Sequence, residues 1–524
     1  MQYIKKIKLK NFKKFKEFEF ELHEGLNTLI GDNESGKSSI LQAIELVASG
    51  SRYKVESLGL DALFNKDAVN SFLELDEKTL EQLPDLHAEI FLAKDVQELN
   101  GRHNTENVET TGLHFSCVPD ENLTHEIIEA LKNNSNSFPY EFYSISFFTF
   151  SGEGYTGYRK ALKTLLIDNT KINSEHANNE YIKRVFESTA EPVTRAKLNN
   201  QYREAKGDFK SQNLVELNAT MDDYIFDVRS GVKYSLESDL TLAKDDVPLE
   251  QRGKGQQCFI KTDFALSRNK DQAAIEVLLI EEPENHLSFA NMHKLISRIE
   301  ETEKGQKIIA THNSLISTRL DLRQSFLLAT DDQHKPLTLE DLDEATAKFF
   351  MKAPNHNFLE FALSQKVILV EGDAEYMLLE TFYKNVSGNT HKKDGVTIIS
   401  VGGTSFKRYM EVAKILGIKT AVITDNDKSH QENCVVRYGT HTNDSIKAFS
   451  DEDNTRYTLE VCVYQDNTSA CSDLFQSKDQ LQSKDQLQSM LNNKSEAAFR
   501  LVENHAASLI APSYIKEAIR WISE

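Results

Sequence analysis

The chain has 524 residues, 39% hydrophobic and 27% charged, with 81 Asp and Glu against 61 Lys and Arg for a formal net charge of −20. That size and balance predict a globular chain of roughly two to four domains and disfavour nonspecific nucleic-acid binding over the whole surface, so any DNA groove has to be concentrated. There is no run of about 18 apolar residues to predict a membrane span, and the basic start MQYIKKIKLKNF lacks a signal peptide's apolar stretch, so no membrane association and a cytoplasmic address are expected.

Residues 4–10 alternate apolar and basic side chains, and Phe18-Glu19-Phe20-Glu21-Leu22 alternates apolar and acidic ones. Both patterns predict half-buried antiparallel strands. Lys5, Lys6, Lys8, Lys10, Lys13, Lys14 and Lys16 crowd this stretch, giving an acidic chain one local basic region. Gly25 turns the chain, and Leu26-Asn27-Thr28-Leu29-Ile30 predicts a short strand running into Gly31. After Lys37, SSILQAIELVASG spaces Ile40, Leu41, Ile44, Leu46 and Val47 as a helix ending near Gly50. Further strands are predicted at 87–92, 113–118 and 143–150.

Residues 157–218 are polar and rich in Lys, Glu, Asn and Ala. They predict a helical insertion for dimerisation or docking, with an apolar stripe too broken for a long coiled coil. Strand-type runs return at 274–280 and 307–310. Ala353-Pro354-Asn355 predicts a break. Beyond it KVILVEG (366–372), VTIIS (396–400) and TAVITDND (420–427) start a second α/β series. The hexapeptide SKDQLQ occurs twice in tandem (477–482, 483–488) and reads as a small duplication in a solvated helix or loop. Cys117, Cys258, Cys434, Cys462 and Cys471 are scattered without a CxxC pair. That spacing argues against a disulfide framework or a structural zinc site, and reduced thiols are expected.

LIGDNESGKSS (29–39) is a strand, then GxxxxGKS, then a helix. Such a loop presents backbone N–H groups and the positive helix end to phosphates. Gly31, Asn33, Gly36, Lys37, Ser38 and Ser39 are the expected nucleotide-binding set, with Lys37 reaching the β- and γ-phosphates and Ser38 ligating Mg²⁺. VLLIEEPENHL (277–287) has the form of a Walker B strand. Glu281 would act on Mg²⁺ through water, and Glu282 would orient the attacking water. KIIATHNSLI (307–316) delivers His312 where a γ-phosphate sensor belongs. RGKGQQ (252–257), with Gly253 and Gly255, is similar to a degenerate signature loop that closes on a nucleotide held by another subunit. These four pieces together resemble an ABC/SMC-type P-loop ATPase head using ATP with Mg²⁺, without the long arms of the SMC tethers.

The second series ends its strands in acids. VILVEGDAE places Glu371 at a strand end with Glu375 one helical turn later, and VITDND places Asp425 and Asp427 in a spacing that points both one way. In an open α/β sheet, ligands gather beyond the carboxyl ends of the strands, so Glu371, Asp425 and Asp427 are expected to converge. Like charges about 4 Å apart repel by roughly 4 kcal/mol at an effective dielectric near 20. The cluster therefore calls for cations or raised pKa values, and all-oxygen ligands select Mg²⁺ or Mn²⁺. Glu460, in the strand-like RYTLEVCV, is a fourth candidate, enough for two ions clamping the attacking and leaving oxygens of a phosphodiester.

Glu371-Gly372 followed by Asp425-x-Asp427, with Val401-Gly402-Gly403-Thr404 between, resembles a Toprim domain. An ATPase head at 1–355, carrying the insertion, and a Rossmann-like Toprim domain at 364–524 together resemble the OLD (overcoming lysogenization defect) family of nucleases. That group includes the nuclease subunit of Gabija anti-phage defence and retron-linked OLD effectors. The resemblance implies that Glu371, Glu375, Asp425, Asp427 and Glu460 bind metals and that Lys494, in NKSEAAF, stabilises the phosphate at the cut. It implies a homo-oligomeric (dimer or tetramer) DNA endonuclease or nickase under ATPase control. A helicase subunit, or a retron reverse transcriptase–DNA complex, would be the partner, if any. Two departures stand out: Cys462 occupies a position where relatives offer another acid, and Glu281 stands where Asp is usual, leaving fast ATP turnover open. The alternatives are a topoisomerase- or primase-like Toprim protein and an ATP-switched DNA sensor without cleavage.

Overall fold

Period-two alternation at the N-terminus builds an antiparallel sheet with one face in the core. β1 (Ile4–Phe12) pairs with β2 (Phe15–Glu21). Ile7, Leu9, Phe18 and Phe20 are buried, while Lys6 on the opposite face bonds Glu19 at 3.2 Å and also Glu106. Lys8 meets the same Glu106 at 3.3 Å, so Lys6 and Lys8, of the seven lysines crowded there, are matched by acids of their own unit. After Gly25 the chain enters β3 (Leu26–Ile30), then α1 (Lys37–Ser49), which Gly50 closes in the left-handed conformation. β4 (Leu86–Leu92), β5 (Thr110–Pro119) and β6 (Tyr143–Thr149) then extend the first sheet from β1, as expected.

This computed structural model describes residues 2–132, 137–156, 161–170, 175–229, 231, 234–271, 275–329, 334–353, 357–403, 405–479 and 483–524. Ala274, Pro354, Asn355, Thr404 and residues 480–482 of the duplicated hexapeptide, all singled out from the sequence, lie outside them. Two compact units emerge: Met1–His312 with Leu328–Pro336, and Asn313–Leu327 with Leu337–Glu524.

A second, parallel sheet of the first unit carries the nucleotide motifs. β7 (Thr164–Asp168), β8 (Val277–Glu281) and β9 (Gln306–Thr311) join β3 in the order β3-β9-β8-β7. Buried on both faces, β8 reads as a continuous apolar run, as parallel strands do. β7 falls inside the stretch expected to be a helical insertion, and corrects it. Leu165 and Ile167 are buried, but a five-residue strand flanked by polar residues is too short to lift the average of a long window. The helices of that stretch are α2 (Glu175–Thr189) and α3 (Pro192–Asn213); α3 buries none of its residues.

The sheet of the second unit is β10 (Lys366–Val370), β11 (Val396–Ser400), β12 (Lys419–Ile423) and β13 (Ile446–Phe449), parallel in the order β11-β10-β12-β13. Alternate residues of β10 feed two cores. Val367 and Leu369 join Phe406, Tyr409 and Met410 on one face, while Ile368 and Val370 join Leu378, Phe382, Leu501 and Ile519 on the other. Phe350 and Phe358, on either side of the expected break at 353–355, are buried in the same core as β10. The division at 355/364 is thus not where the compact units part: apolar side chains upstream of 364 belong to the second core. Among the described residues no helix is long and apolar enough to cross a membrane.

Candidate functional site

β3 delivers the chain to Gly31, and α1 leaves from Gly36. A Cβ at Gly31 would lie 2.5 Å from the Leu328 carbonyl oxygen, and one at Gly36 (φ +99) would lie 2.4 Å from the Phe15 ring. Only glycine fits either place. The start of α1 has no side-chain cap and no acid in its first turn, which leaves its N–H groups for an anion. Lys37 is buried, and its ammonium donates to the carbonyls of Gly31 (2.7 Å) and Asp32 (2.8 Å). Burial pushes its pKa down, against the charges of Glu282, Asp32, Glu284 and Glu281. Asn33 and Ser38 are exposed and Ser39 is half-buried along the same loop.

The neighbouring strands bring the rest of the expected set. Glu281 ends β8, and Glu282 follows in a left-handed conformation (φ +48) with its N–H on the Ala310 carbonyl at 2.9 Å. Burial, then the charge of Glu284, pushes the Glu282 carboxyl up to about 8. His312, just beyond β9, sets Nδ1 2.5 Å from Glu282 Oε2. Glu282 thus lies against His312, and its charge acts on Lys37. Glu284 is a residue that the sequence reasoning missed. It is buried, and its Oε1 accepts from Thr311 Oγ1 (2.6 Å) and the His312 N–H (3.2 Å). Its signal was present as the second acid pair-spacing in Glu282-Pro283-Glu284. Gly255 has a different local reason: a Cβ there would lie 2.2 Å from the His286 carbonyl oxygen, so it packs the start of the following helix, Lys254–Asp271, against the loop after β8. A Cβ at Gly253 would meet open space.

In the second unit Glu371 follows β10, and its Oε1 accepts from Thr424 Oγ1 at 2.8 Å at the tip of β12. Asp425 Oδ1 accepts the Leu459 N–H at 2.8 Å, at the start of the helix Leu459–Asp466. That helix, not the expected strand, carries Glu460. Tyr457 and Thr458 supply the strand-like look but precede the helix, whose first residues are buried. Burial, then the charges of Glu371, Glu375 and Glu460, pushes the Asp425 carboxyl up to about 8. Glu375 is raised by burial and by the charges of Glu460 and Glu371. Lys494 stands 3.0 Å from Glu460 Oε2; burial works against its charge, and Glu460, Asp425 and Glu375 together raise its pKa. Five of the expected residues thus share one field, although no three of their carboxylates close to within 4.8 Å.

Asp427 does not follow the period-two expectation. β12 ends at Ile423, Asp427 adopts φ +47, and its side chain is exposed. The reason is Asn426, which is buried and donates to the carbonyls of Asp451 (2.8 Å), Asp453 (3.1 Å) and Arg456 (3.3 Å). That anchor turns the chain, and Asp427 stays at the rim, acting on Cys434 together with Asp425. Cys462 is buried, with Sγ 3.4 Å from the Arg456 carbonyl.

The donor set fits divalent cations: oxygens throughout, and Glu460 Oε1 buried without a hydrogen-bond partner. Residues 363–427 match the family described as overcoming lysogenization defect protein-like, TOPRIM domain. Residues 3–100 and 93–316 match the AAA ATPase domain family. The chain belongs to the AAA ATPase domain family and carries an OLD-like TOPRIM domain. The chain is 23% identical over 269 residues to endonuclease GajA of Bacillus cereus (strain VD045), covering 50% of this chain and 43% of that one. It is 26% identical over 163 residues to the Old nuclease of Escherichia phage P2, covering 29% and 28%. The matches span less than half the length of either relative. The solved C-terminal region of the Burkholderia pseudomallei OLD protein is similar at 19% identity and TM-score 0.26, covering 30% of this chain and 97% of that one.

In the metal-free chain the raised Asp425 pKa ties stability to pH. Its folded pKa of about 8 lies above the ordinary 3.8, so between those values the folded state keeps a proton that the unfolded chain has lost. The contribution to stability is full below the lower value and is lost as pH rises through the higher one. Thermal melts of metal-free protein are expected to fall less between about pH 5 and about pH 8 in Asp425→Asn than in the parent. Mn²⁺ is expected to raise the parent's Tm more at the upper pH. An unchanged slope in Asp425→Asn would remove Asp425 from the buried cluster.

Proposed function

We propose that this chain is a divalent-metal-dependent DNA endonuclease or nickase, controlled by an ATPase unit that binds ATP with Mg²⁺. The observation that carries this reading is the shared field of Glu371, Glu375, Asp425 and Glu460 with Lys494 beside them. The four acids would hold Mg²⁺ or Mn²⁺, and Asp427 at the rim is available to a second ion. Cations bound there would neutralise the scissile phosphate and lower the pKa of water. Thr424 and the Leu459 N–H orient Glu371 and Asp425, which fixes two carboxylate oxygens before substrate arrives. Lys494 keeps its proton and offers a positive contact to a phosphate oxygen.

DNA as substrate and a role in anti-phage defence are part of the same proposal, supported by the nuclease names of the two relatives and by the resemblance drawn from sequence. Homo-oligomerisation is supported by the exposed Phe209, Val215, Leu217, Tyr224, Ile225 and Phe226 in and after α3. The test is supercoiled plasmid incubated with Mg²⁺ or Mn²⁺, with and without ATP. Nicked or linear product that disappears with EDTA is expected. Intact plasmid under every condition, with DNA still bound, would replace the nuclease by a nucleotide-switched sensor.

A further inference from the structure

Glu282, Glu284 and His312 form a group of a kind not met elsewhere among the described residues: each offers a ligand atom, and these atoms lie within 4.8 Å of one another. His312 Nδ1 is 2.5 Å from Glu282 Oε2 and 3.7 Å from Glu284 Oε1. Glu284 is oriented by Thr311 Oγ1 and by the backbone N–H of His312, the kind of support that fixes metal ligands. Its side chain is 6% exposed, and Oε2 is buried with no hydrogen-bond partner. His312, at 48% exposed, leaves the cluster open to ions from solvent.

An imidazole with two carboxylates is a mixed nitrogen–oxygen set. Imidazole suits zinc and its neighbours, whereas Mg²⁺ takes oxygen alone and dehydrates reluctantly. The same two side chains, Glu282 and His312, are those read as water-orienting and γ-phosphate-sensing. A cation seated on them would occupy both at once. Lys37 is held on the Gly31 and Asp32 carbonyls in the meantime, so the phosphate loop need not be disturbed.

We propose that Glu282, Glu284 and His312 bind one transition-metal dication, Zn²⁺ or Mn²⁺, that holds the ATPase unit idle. The inhibitory part rests on the nucleotide-site reading; the binding part stands on the cluster alone and needs neither DNA nor nucleotide.

The experiment is calorimetric titration of nucleotide-free, full-length Asp425→Asn protein with Zn²⁺, which weakens the competing carboxylate site. One site is expected, weakened roughly 10- to 100-fold by His312→Ala and by Glu284→Gln, the range seen when metal-site partners are lost. His312 is exposed, so its variant folds, and melting curves verify both. Undiminished binding in both variants would overturn the site. ATP hydrolysis in excess Mg²⁺ is expected to fall at least about tenfold as the Zn²⁺ site fills, equivalent to about 1.4 kcal/mol. Unchanged hydrolysis with the site filled would overturn the inhibitory role while leaving the site itself.

Discussion

Asp425→Ala is expected to lower plasmid cleavage by at least about 1000-fold, on the order of 4 kcal/mol of transition-state stabilisation. Asp425 is the acid on which the others act: Glu371, Glu375 and Glu460 all push its carboxyl up, with Lys494 opposing. Removing it takes away the central ligand and leaves the Leu459 N–H without its acceptor. Because burial disfavours the Asp425 carboxylate in metal-free protein, the variant's metal-free melting temperature at about pH 8 is expected to stay near that of the parent. Cleavage by Asp425→Ala within tenfold of the parent would mean that the cutting, if any, is done elsewhere.

Lys37→Ala is expected to weaken ATP binding about 10- to 100-fold, the value of one to two charge-assisted hydrogen bonds to phosphate. In the folded chain the ammonium is turned onto the carbonyls of its own loop, at 2.7 and 2.8 Å, and is ready to exchange those acceptors for phosphate oxygens. Its loss also leaves Glu282 without the cation that opposes its rise to about 8. Equilibrium binding of a fluorescent ATP analogue would measure the effect. An unchanged Kd would refute the phosphate-loop assignment.

What was legible in the sequence is what a period or a spacing carries by itself. The strand–loop–helix around Gly31 and Lys37, the apolar β8 and β9, and the acid-tipped β10 and β12 each depend on neighbours within a dozen residues. What was not legible depends on partners far along the chain. β7 is a strand because its backbone pairs with β8, more than a hundred positions away, and Leu165 and Ile167 are buried there. Asp427 leaves the strand direction because Asn426 is tied to carbonyls of residues 451–456. Glu460 sits on a helix because Asp425 accepts the N–H at that helix's start. Glu284 gains its place only when β9 brings Thr311 and His312 beside it. Gly255, expected to serve a nucleotide across subunits, has an immediate steric reason in the His286 carbonyl of its own chain.

The proposed strand scission requires acids from separate strand and helix ends of the second unit to hold divalent ions together. Anomalous scattering from Mn²⁺-soaked crystals at the manganese edge tests that most directly. The expected result is a peak among Glu371, Asp425 and Glu460, lost in Asp425→Ala. A map with no manganese among those carboxylates, in protein that cuts plasmid under the same Mn²⁺ concentration, would contradict it.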